Sequence, residues 1–328
     1  LWSISMIRFQ NCPRLFPILV VLVLGFLRTP AEGQEKVPAW EWSEERVFEE
    51  VGRVRAGRSL NPDEWPGGTQ VAVLLSFDVD NETIWLRNGD TNVGGLSQGE
   101  YGSRVALQRV LDLLDRYEIP ASFFGPAMSF MLAPHQIDAI QASGRHEIGI
   151  HGWIHERNAS LPREEEERLL RMAVDKMTDL IGERPVGYRA PSWNFSGATL
   201  DLLLSMDFLY DSSLMADDRP YEIMANGTPT GMIELPVDWI LDDAPLFNPQ
   251  GDRYANPRGV LQVYKDEFDV AYEEGTMFLL TMHPHYIGHR SRIVILRELI
   301  EHIRSKPNVW FGTHRAAAEW VQDQANMK

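Results

Sequence analysis

The sequence predicts an α/β fold in which parallel strands alternate with helices. Two observations support this prediction: eight short apolar runs of strand length, and amphipathic stretches that lie between them. The first run, residues 71–77, is almost continuously apolar, as expected of a strand that is buried on both faces. Strands separated by helical stretches pair in parallel through crossover helices. The eight strands suit a (β/α) barrel in which one strand is missing or distorted, and an open doubly wound sheet is the alternative.

The elements follow in a regular order along the chain. After the first run, strands are predicted at residues 121–124, 146–150, 185–189, 209–214, 232–237, 276–282 and 309–312. Helices are predicted at residues 107–117, 134–143, 163–181, 196–206, 260–274, 292–304 and 316–322. The helix at 163–181 begins with four glutamates, where the helix dipole favours negative charge, and Gly182 is its expected C-terminal cap.

The composition excludes several classes of protein. The 328 residues contain 31 Lys+Arg and 47 Asp+Glu, for a formal charge of −16, and a single cysteine, Cys12. Because binding to nucleic acid rewards clustered positive charge, we expect no nucleic-acid partner. One cysteine cannot form an internal disulfide, a Cys-based zinc finger or an iron–sulfur cluster. No G-x-G-x-x-G motif follows the first strand, and no phosphate-loop pattern occurs. The sequence therefore lacks the usual signatures of a nucleotide cofactor site.

The N-terminal segment has the pattern of an export signal. Residues 15–27 form an apolar run of 13 residues that follows Arg8 and Arg14 and precedes a small-x-small site, AEG at 31–33. This run is short for a membrane-spanning helix, so a cleaved signal at 1–33 is favoured over an uncleaved membrane anchor or a buried segment of the domain. We therefore expect an exported protein without stable membrane insertion. It has an N-terminal extension at 34–69 and a catalytic domain at 70–328, and a homo-oligomer remains open.

Ionisable side chains follow five of the predicted strands. In parallel barrels, the loops after the carboxyl ends of the strands build the active site, so these side chains are expected at one rim. The residues are Asp78, Asp80, His151, His155, Arg189, Asp238 and His283.

Three of these residues suit a metal site. His151 and His155 are four residues apart, a spacing that places both imidazoles on one face of a helical turn. With no cysteine beside them, a carboxylate is the natural third ligand, and Asp80 is the candidate. Asp78 lies two residues from Asp80, so in an extended segment both carboxylates face the barrel mouth, and Asp78 can accept a proton from water.

Other residues could complete such a site. Arg189 could hold a carboxylate in a fixed orientation, or form an ordinary salt bridge at the rim. His283 could donate a proton to a leaving amine. His285 and His289 carry no assigned role. Four tryptophans in the same segments could stack on sugar rings, although packing is the commoner role of any single one: Trp85, Trp153, Trp193 and Trp239.

Five segments together resemble the ordered motifs of the polysaccharide deacetylase (NodB homology) family. They are SFDVD at 76–80, HGWIH at 151–155, GYRAPSW at 187–193, LPVDW at 235–239 and TMH at 281–283. The resemblance spans roughly residues 70–320. The inserted Val79 between the acids and the His-Pro after Met282 are similar to the peptidoglycan deacetylase-like and allantoinase-like branch.

The resemblance implies a distorted (β/α)7 barrel and a divalent metal, usually zinc. By motif position the ligands would be Asp80, His151 and His155. Asp78 would be the catalytic base, braced by Arg189, and His283 the catalytic acid. Members of that branch act on small amides, cyclic imides or ureides as well as on sugars.

Three functions follow as expectations, in this order. The first is metal-dependent hydrolysis of a non-peptide amide, with an N-acetylated amino sugar of a polysaccharide or peptidoglycan as the substrate. The second keeps the chemistry but acts on a small linear or cyclic amide, such as allantoin or an imide. The third is a non-catalytic carbohydrate-binding barrel. A glycosidase would instead need paired carboxylates without the pair of histidines.

Overall fold

The computed structural model describes residues 37–248 and 254–327. Residues 37–43, which carry a short 3-10 helix at Ala39–Glu41, belong to a unit separate from the main domain, which begins at Glu44. The predicted signal at 1–33 lies outside the described residues. Among the helices that are described, none has the length and apolar character needed to cross a membrane.

The described part of the main domain contains ten strands and thirteen α-helices. The strands are β1 Val54–Ser59, β2 Val71–Asp78, β3 Ser122–Gly125, β4 Glu147–Ile150, β5 Gly187–Tyr188, β6 Tyr210–Asp211, β7 Tyr221–Ala225, β8 Thr228–Glu234, β9 Met277–Met282 and β10 Val309–Gly312. The helices are α1 Glu44–Gly52, α2 Thr83–Leu86, α3 Val93–Tyr101, α4 Leu107–Tyr117, α5 Ala127–Leu132, α6 His135–Gln141, α7 Arg163–Ile181, α8 Thr199–Ser205, α9 Asp243–Phe247, α10 Pro257–Glu274, α11 Pro284–Ile287, α12 Arg290–Arg304 and α13 His314–Gln324. Short 3-10 turns occur at Asn158–Ser160, Pro191–Trp193 and Trp239–Leu241, and a π-helical segment at Gly102–Ala106.

Seven parallel strands form a distorted barrel. Their neighbours run in the order β9-β2-β3-β4-β5-β6-β8, and a single parallel bridge between Asp242 and Thr281 joins the segment after β8 to β9. β10 pairs with the first half of β2, whereas β3 pairs with its second half. Because the strands follow one another around the sheet without reversing direction, the fold is the predicted (β/α)7 barrel and not a doubly wound sheet. β5 and β6, at two residues each, are its most distorted strands.

The barrel core explains the apolar first strand. All eight residues of β2 are buried. Val73 and Leu75 belong to the layer between the sheet and the helices, whereas Leu74 and Phe124 belong to a second cluster on the other face of the sheet. Both faces of β2 are therefore covered by apolar side chains, as the continuous run predicts.

The helix at 163–181 occupies the predicted residues, and Gly182 caps it in the left-handed conformation with φ of 87°. Two strands were not predicted: β1 pairs antiparallel with β7, which pairs antiparallel with β8. β1 is an arginine-containing edge strand without an apolar run, so it lacks the signal of a buried strand. Its pairing places part of the predicted extension at 34–69 in the barrel's own sheet.

Candidate active site

The carboxyl end of β2 delivers two buried acids to the barrel rim. Asp78 is the last residue of β2, and Asp80 follows two residues later; their exposed fractions are only 2% and 1%. The intervening Val79 is turned into the core. His151 Nε2 lies 3.7 Å from Asp78 Oδ2 and 3.6 Å from Asp80 Oδ1, so both carboxylates face the same imidazole, as the two-residue spacing predicts.

The loop after β4 brings in both histidines, but not on a helix as the spacing suggested. Residues 151–155 form an irregular turn in which Gly152 and His155 have φ of 77° and 64°. The Glu156 carboxylate holds this turn by accepting hydrogen bonds from the backbone N–H groups of Trp153 and Ile154. The two rings still converge, because their centroids are 5.1 Å apart.

Asp80, His151 and His155 form a set of donor atoms that fits a metal ion. Their candidate ligand atoms all lie within 4.8 Å of one another, and His155 Nε2 is 3.4 Å from Asp80 Oδ2. Asp80 Oδ1 is buried without a hydrogen-bond partner in the described part of the chain. An orphaned buried carboxylate oxygen is costly, and a cation would satisfy it.

The protonation of the ring nitrogens bears on this fit. Burial lowers the pKa of His151 to about 4, and its Nδ1 lies 2.7 Å from the Arg189 carbonyl oxygen, which leaves a neutral ring with Nε2 facing the carboxylates. His155 differs, because its Nδ1 lies 2.6 Å from Arg87 Nη1, and a guanidinium can only donate. Ligation through His155 Nε2 therefore requires its ring proton to move to Nδ1 and Arg87 to turn away. Burial alone would raise the pKa of Asp80, but the nearby imidazoles, His155 first, hold it well below its usual range.

Arg189 orients Asp78. Its side chain is completely buried, and its Nη1 donates to Asp78 Oδ1 at 2.7 Å and to Ser76 Oγ at 2.9 Å. Arg189 also lies over the Phe124 ring, with 4.2 Å from Cζ to the ring centroid. A buried, charge-assisted hydrogen bond of this length fixes the carboxylate that points at the two histidines.

His283 faces the same pocket and is held by two acids that were not predicted. Its Nδ1 lies 2.7 Å from Asp243 Oδ1 and 3.6 Å from Asp242 Oδ1, and its Nε2 lies 3.5 Å from Asp80 Oδ2. Burial by itself would lower the pKa of His283, but the hydrogen bond to Asp243 and the nearby carboxylates raise it well above its usual value. The direction of this shift favours the protonated imidazole, whose Nε2 faces the pocket.

The structure does not bring Asp238 into this cluster. Asp238 is exposed, and its carboxylate accepts from the backbone N–H of Ile240 as the cap of the next turn. After β8 the chain continues through this turn to the bridge with β9, which carries Asp242 and Asp243 inward instead. The sequence analysis chose Asp238 because it comes directly after the apolar run. The pair Asp242 and Asp243, four residues later, was the sequence signal that could have indicated the acids of this segment.

The tryptophans divide into two groups. Trp193 and Trp239 line the pocket, and their ring centroids are 4.2 Å apart. Trp85 is buried edge-on to His285, and Trp153 packs against the core, so neither lines the pocket. The pocket has a volume of about 160 Å³, and Arg87, Ser192 and Tyr286 also line it, none of which was predicted.

The two unassigned histidines lie nearby. His285 is buried, its pKa is lowered to about 3 by burial, and neither ring nitrogen has a partner in the described part of the chain. His289 stacks on Tyr101, with 4.1 Å between ring centroids.

A seven-stranded parallel barrel whose rim carries a buried carboxylate, an imidazole and a set of side chains that could hold a metal is typical of a class of hydrolases. Comparisons with known proteins agree with this class. The sequence profile described as Polysaccharide deacetylase matches residues 99–210. A peptidoglycan deacetylase of Helicobacter pylori is 31% identical over 282 residues, covering 76% of this chain and 96% of that protein. The chain belongs to the polysaccharide deacetylase family.

Solved structures show the same fold. The crystal structure of a putative polysaccharide deacetylase from Mycobacterium smegmatis matches with a TM-score of 0.76 and 33% identity, covering 83% of this chain and 96% of that one. Puue allantoinase matches with a TM-score of 0.72 and 27% identity, covering 82% and 98%. The family and these likenesses agree with the branch that the sequence motifs indicated.

Proposed function

We propose that the protein is a metal-dependent hydrolase of non-peptide amide bonds that removes N-acetyl groups from amino sugars of a polysaccharide or peptidoglycan. The observation that carries this proposal is the convergence of three kinds of group in one pocket: the buried ligand set, the Asp78 carboxylate and the His283 imidazole. The similarity to a peptidoglycan deacetylase supports the choice of substrate.

The chain's own residues divide the proton transfers between them. A divalent ion, zinc by the nature of the nitrogen and oxygen ligands Asp80, His151 and His155, would act as a Lewis acid towards the amide carbonyl. Asp78, held by Arg189, accepts the proton of the attacking water. His283, held by Asp243, donates a proton from Nε2 to the departing nitrogen.

The pair Trp193 and Trp239 supports a sugar substrate. Trp239 is 45% exposed beside the pocket and leans on Trp193, so an indole face is available to a ring that extends out of the site. Stacking on aromatic faces is a common way to bind apolar ring surfaces. The likeness to Puue allantoinase and the small volume of the pocket favour a second candidate, a small linear or cyclic amide.

Product analysis separates these candidates. The purified protein is incubated with chito-oligosaccharides, peptidoglycan fragments, allantoin and cyclic imides in parallel, and acetate and ring-opened products are measured. Acetate from the glycans supports the proposal, and turnover of only the small amides supports the second candidate. Glycan binding without turnover of any substrate would support a non-catalytic binding barrel and contradict both.

Metal dependence is tested on the same protein. Chelation and Asp80→Ala should each abolish turnover, whereas Asp175→Ala, at an exposed position of α7, should leave it unchanged. Diffraction data collected above and below the zinc absorption edge should show an anomalous peak between Asp80, His151 and His155. Full activity after the metal has been removed would refute this part of the proposal.

We further propose that residues 1–33 are a cleaved export signal, that 34–69 are an N-terminal extension whose strand β1 joins the sheet of a catalytic domain at 70–328, and that the protein works outside the cytoplasm. The support is the short apolar run with its basic flank and small-residue site. N-terminal sequencing of the secreted protein tests this proposal: a mature chain that begins at Gln34 supports cleavage, and retention in the membrane fraction supports an uncleaved anchor.

A further inference from the structure

A row of buried and half-buried polar side chains lies behind Arg189, on the side away from Asp78. Glu147 on β4, Ser122 on β3 and His314 at the start of α13 form it. Ser122 and His314 are fully buried. The proposed chemistry assigns no task to any of the three. Buried polar groups of this kind are costly unless each is paired, so their pairing shows what they do.

The pairing has only one consistent direction. Arg189 Nη2 lies 3.1 Å from His314 Nε2, and a guanidinium can only donate, so Nε2 must accept. His314 Nδ1 lies 3.1 Å from Ser122 Oγ, which also accepts from the His314 backbone N–H at 2.8 Å. Ser122 Oγ in turn donates to Glu147 Oε2 at 2.8 Å. With the Ser122 proton directed to Glu147, Oγ is left to accept from Nδ1–H of His314.

Arg189 uses its remaining donors on fixed partners. Nε donates to the Ser212 carbonyl oxygen and Nη2 to Ser212 Oγ, while Nη1 donates to Ser76 and Asp78. The guanidinium is planar, so the partners of Nη2 determine the plane in which Nη1 meets Asp78. His314 is the partner of Nη2 that comes from α13, and its position is tied to β3 through Ser122.

We propose that His314, as the neutral tautomer with its proton on Nδ1, is a positioning residue that orients Arg189 and through it the Asp78 carboxylate. Burial, with the charge of Arg189 beside it, holds the pKa of His314 well below its usual range and so keeps the ring neutral. The effect of His314 on catalysis rests on the proposed function, whereas the assignment of its tautomer does not depend on that function.

Two substitutions at His314 separate hydrogen bonding from packing. His314→Leu keeps a side chain of similar size but removes the acceptor, and we expect kcat to fall about thirtyfold with KM within about twofold, because a misplaced base slows chemistry more than binding. His314→Gln can present its carbonyl oxygen near the position of Nε2, and we expect kcat within about threefold of the wild type. His302→Leu is the matched control, since His302 on α12 pairs with Asp269 on α10 and has no part in the site.

Two results for the variants would overturn the proposal. One is an unchanged kcat in His314→Leu. The other is an equal loss in His314→Gln and His314→Leu, which would mean that the shape of the ring matters rather than its acceptor.

The tautomer is measured without any substrate. Nitrogen-15 NMR of the histidine-labelled full chain, with the His314 signals identified by their absence in His314→Gln, should show protonated Nδ1 and bare Nε2 between pH 6 and 8. A ring protonated on Nε2, or on both nitrogens, would overturn the proposal. This measurement remains decisive if the proposed deacetylation fails, because it depends only on the contact between His314 and Arg189.

Discussion

Asp211 and Glu234 form a buried carboxyl pair whose proton should make stability depend on pH. They are direct neighbours in the pairing of β6 with β8. Asp211 Oδ1 accepts from Ser213 Oγ, and Glu234 Oε1 accepts from the backbone N–H groups of Ser213 and Leu214. Burial raises the pKa of Asp211 to about 6, and burial together with the Asp211 charge raises the pKa of Glu234 well above its usual value. The pair therefore retains a proton in the native state above pH 4.

The sign and size of the effect follow from linkage. Between pH 4 and about 6 the native pair holds a proton that the unfolded chain has released, so the free energy of unfolding falls as pH rises. The pKa of Asp211 rises from 3.8 to about 6 on folding. At 1.36 kcal/mol per pKa unit, this shift corresponds to about 3 kcal/mol of stability that is present below pH 4 and lost by about pH 6.

Asp211→Asn tests this reasoning. The amide can still accept from Ser213 Oγ and donate to Glu234, but it holds no titrating proton. Urea unfolding followed by tryptophan fluorescence at intervals from pH 4 to 7.5 gives the free energy of unfolding of both proteins. We expect the wild type to lose about 3 kcal/mol relative to the variant over this range. A difference that changes by less than about 1 kcal/mol would refute the shared proton.

Three further changes have definite expected outcomes. Asp243→Asn removes the negative charge next to His283 Nδ1, so kcat should fall about a hundredfold, the order of a general-acid contribution, with little change in KM. Trp239→Ala removes the exposed ring beside Trp193, so KM for chito-oligosaccharides should rise about tenfold while KM for small amides stays unchanged. Phe268→Ala in the fully buried face of α10 should cost about 3–5 kcal/mol in urea unfolding and leave kcat unchanged.

The first of these predictions has a matched control, and each has an outcome that would contradict it. Asp269→Asn alters a second Asp–His pair, with His302, far from the pocket lining, and should leave kcat at the wild-type value. If it slows the enzyme as much as Asp243→Asn, the effect is not specific to His283. Equal rises in KM for long and small substrates would contradict stacking at Trp239. A loss below about 1 kcal/mol would contradict close packing around Phe268.

The apolar runs in the sequence predicted both the strands of the barrel and most of the residues of the site. Apolar runs mark the strands, and the polar residue that ends each run marks the rim, since parallel strands share one carboxyl edge. Asp78, Asp80, His151, Arg189 and His283 all meet at that edge. The expectation that the polar residue after each strand reaches the site was wrong for Asp238. The chain after β8 first makes a turn, which Asp238 caps, and only Asp242 and Asp243 beyond that turn point inward.

Patterns also failed where an element lacks its own signal. β1 has no apolar run, yet it extends the sheet through β7. The His151 and His155 spacing suggested a helix, but left-handed residues and the Glu156 carboxylate form a turn there instead. In both places, contacts with neighbouring parts of the chain determine the local conformation and override the intrinsic preference of the residues for helix or strand.

The sequence by itself therefore determined the order of most strands and helices, their parallel arrangement, and most of the side chains that reach the rim, because periodicity and strand direction are local properties. Only the tertiary structure decided the partners that orient those side chains. Asp243 meets His283 across 40 residues, and His314 meets Arg189 across 125. Such contacts depend on the paths of separate loops and on the geometry of single hydrogen bonds, and no pattern along the chain encodes either.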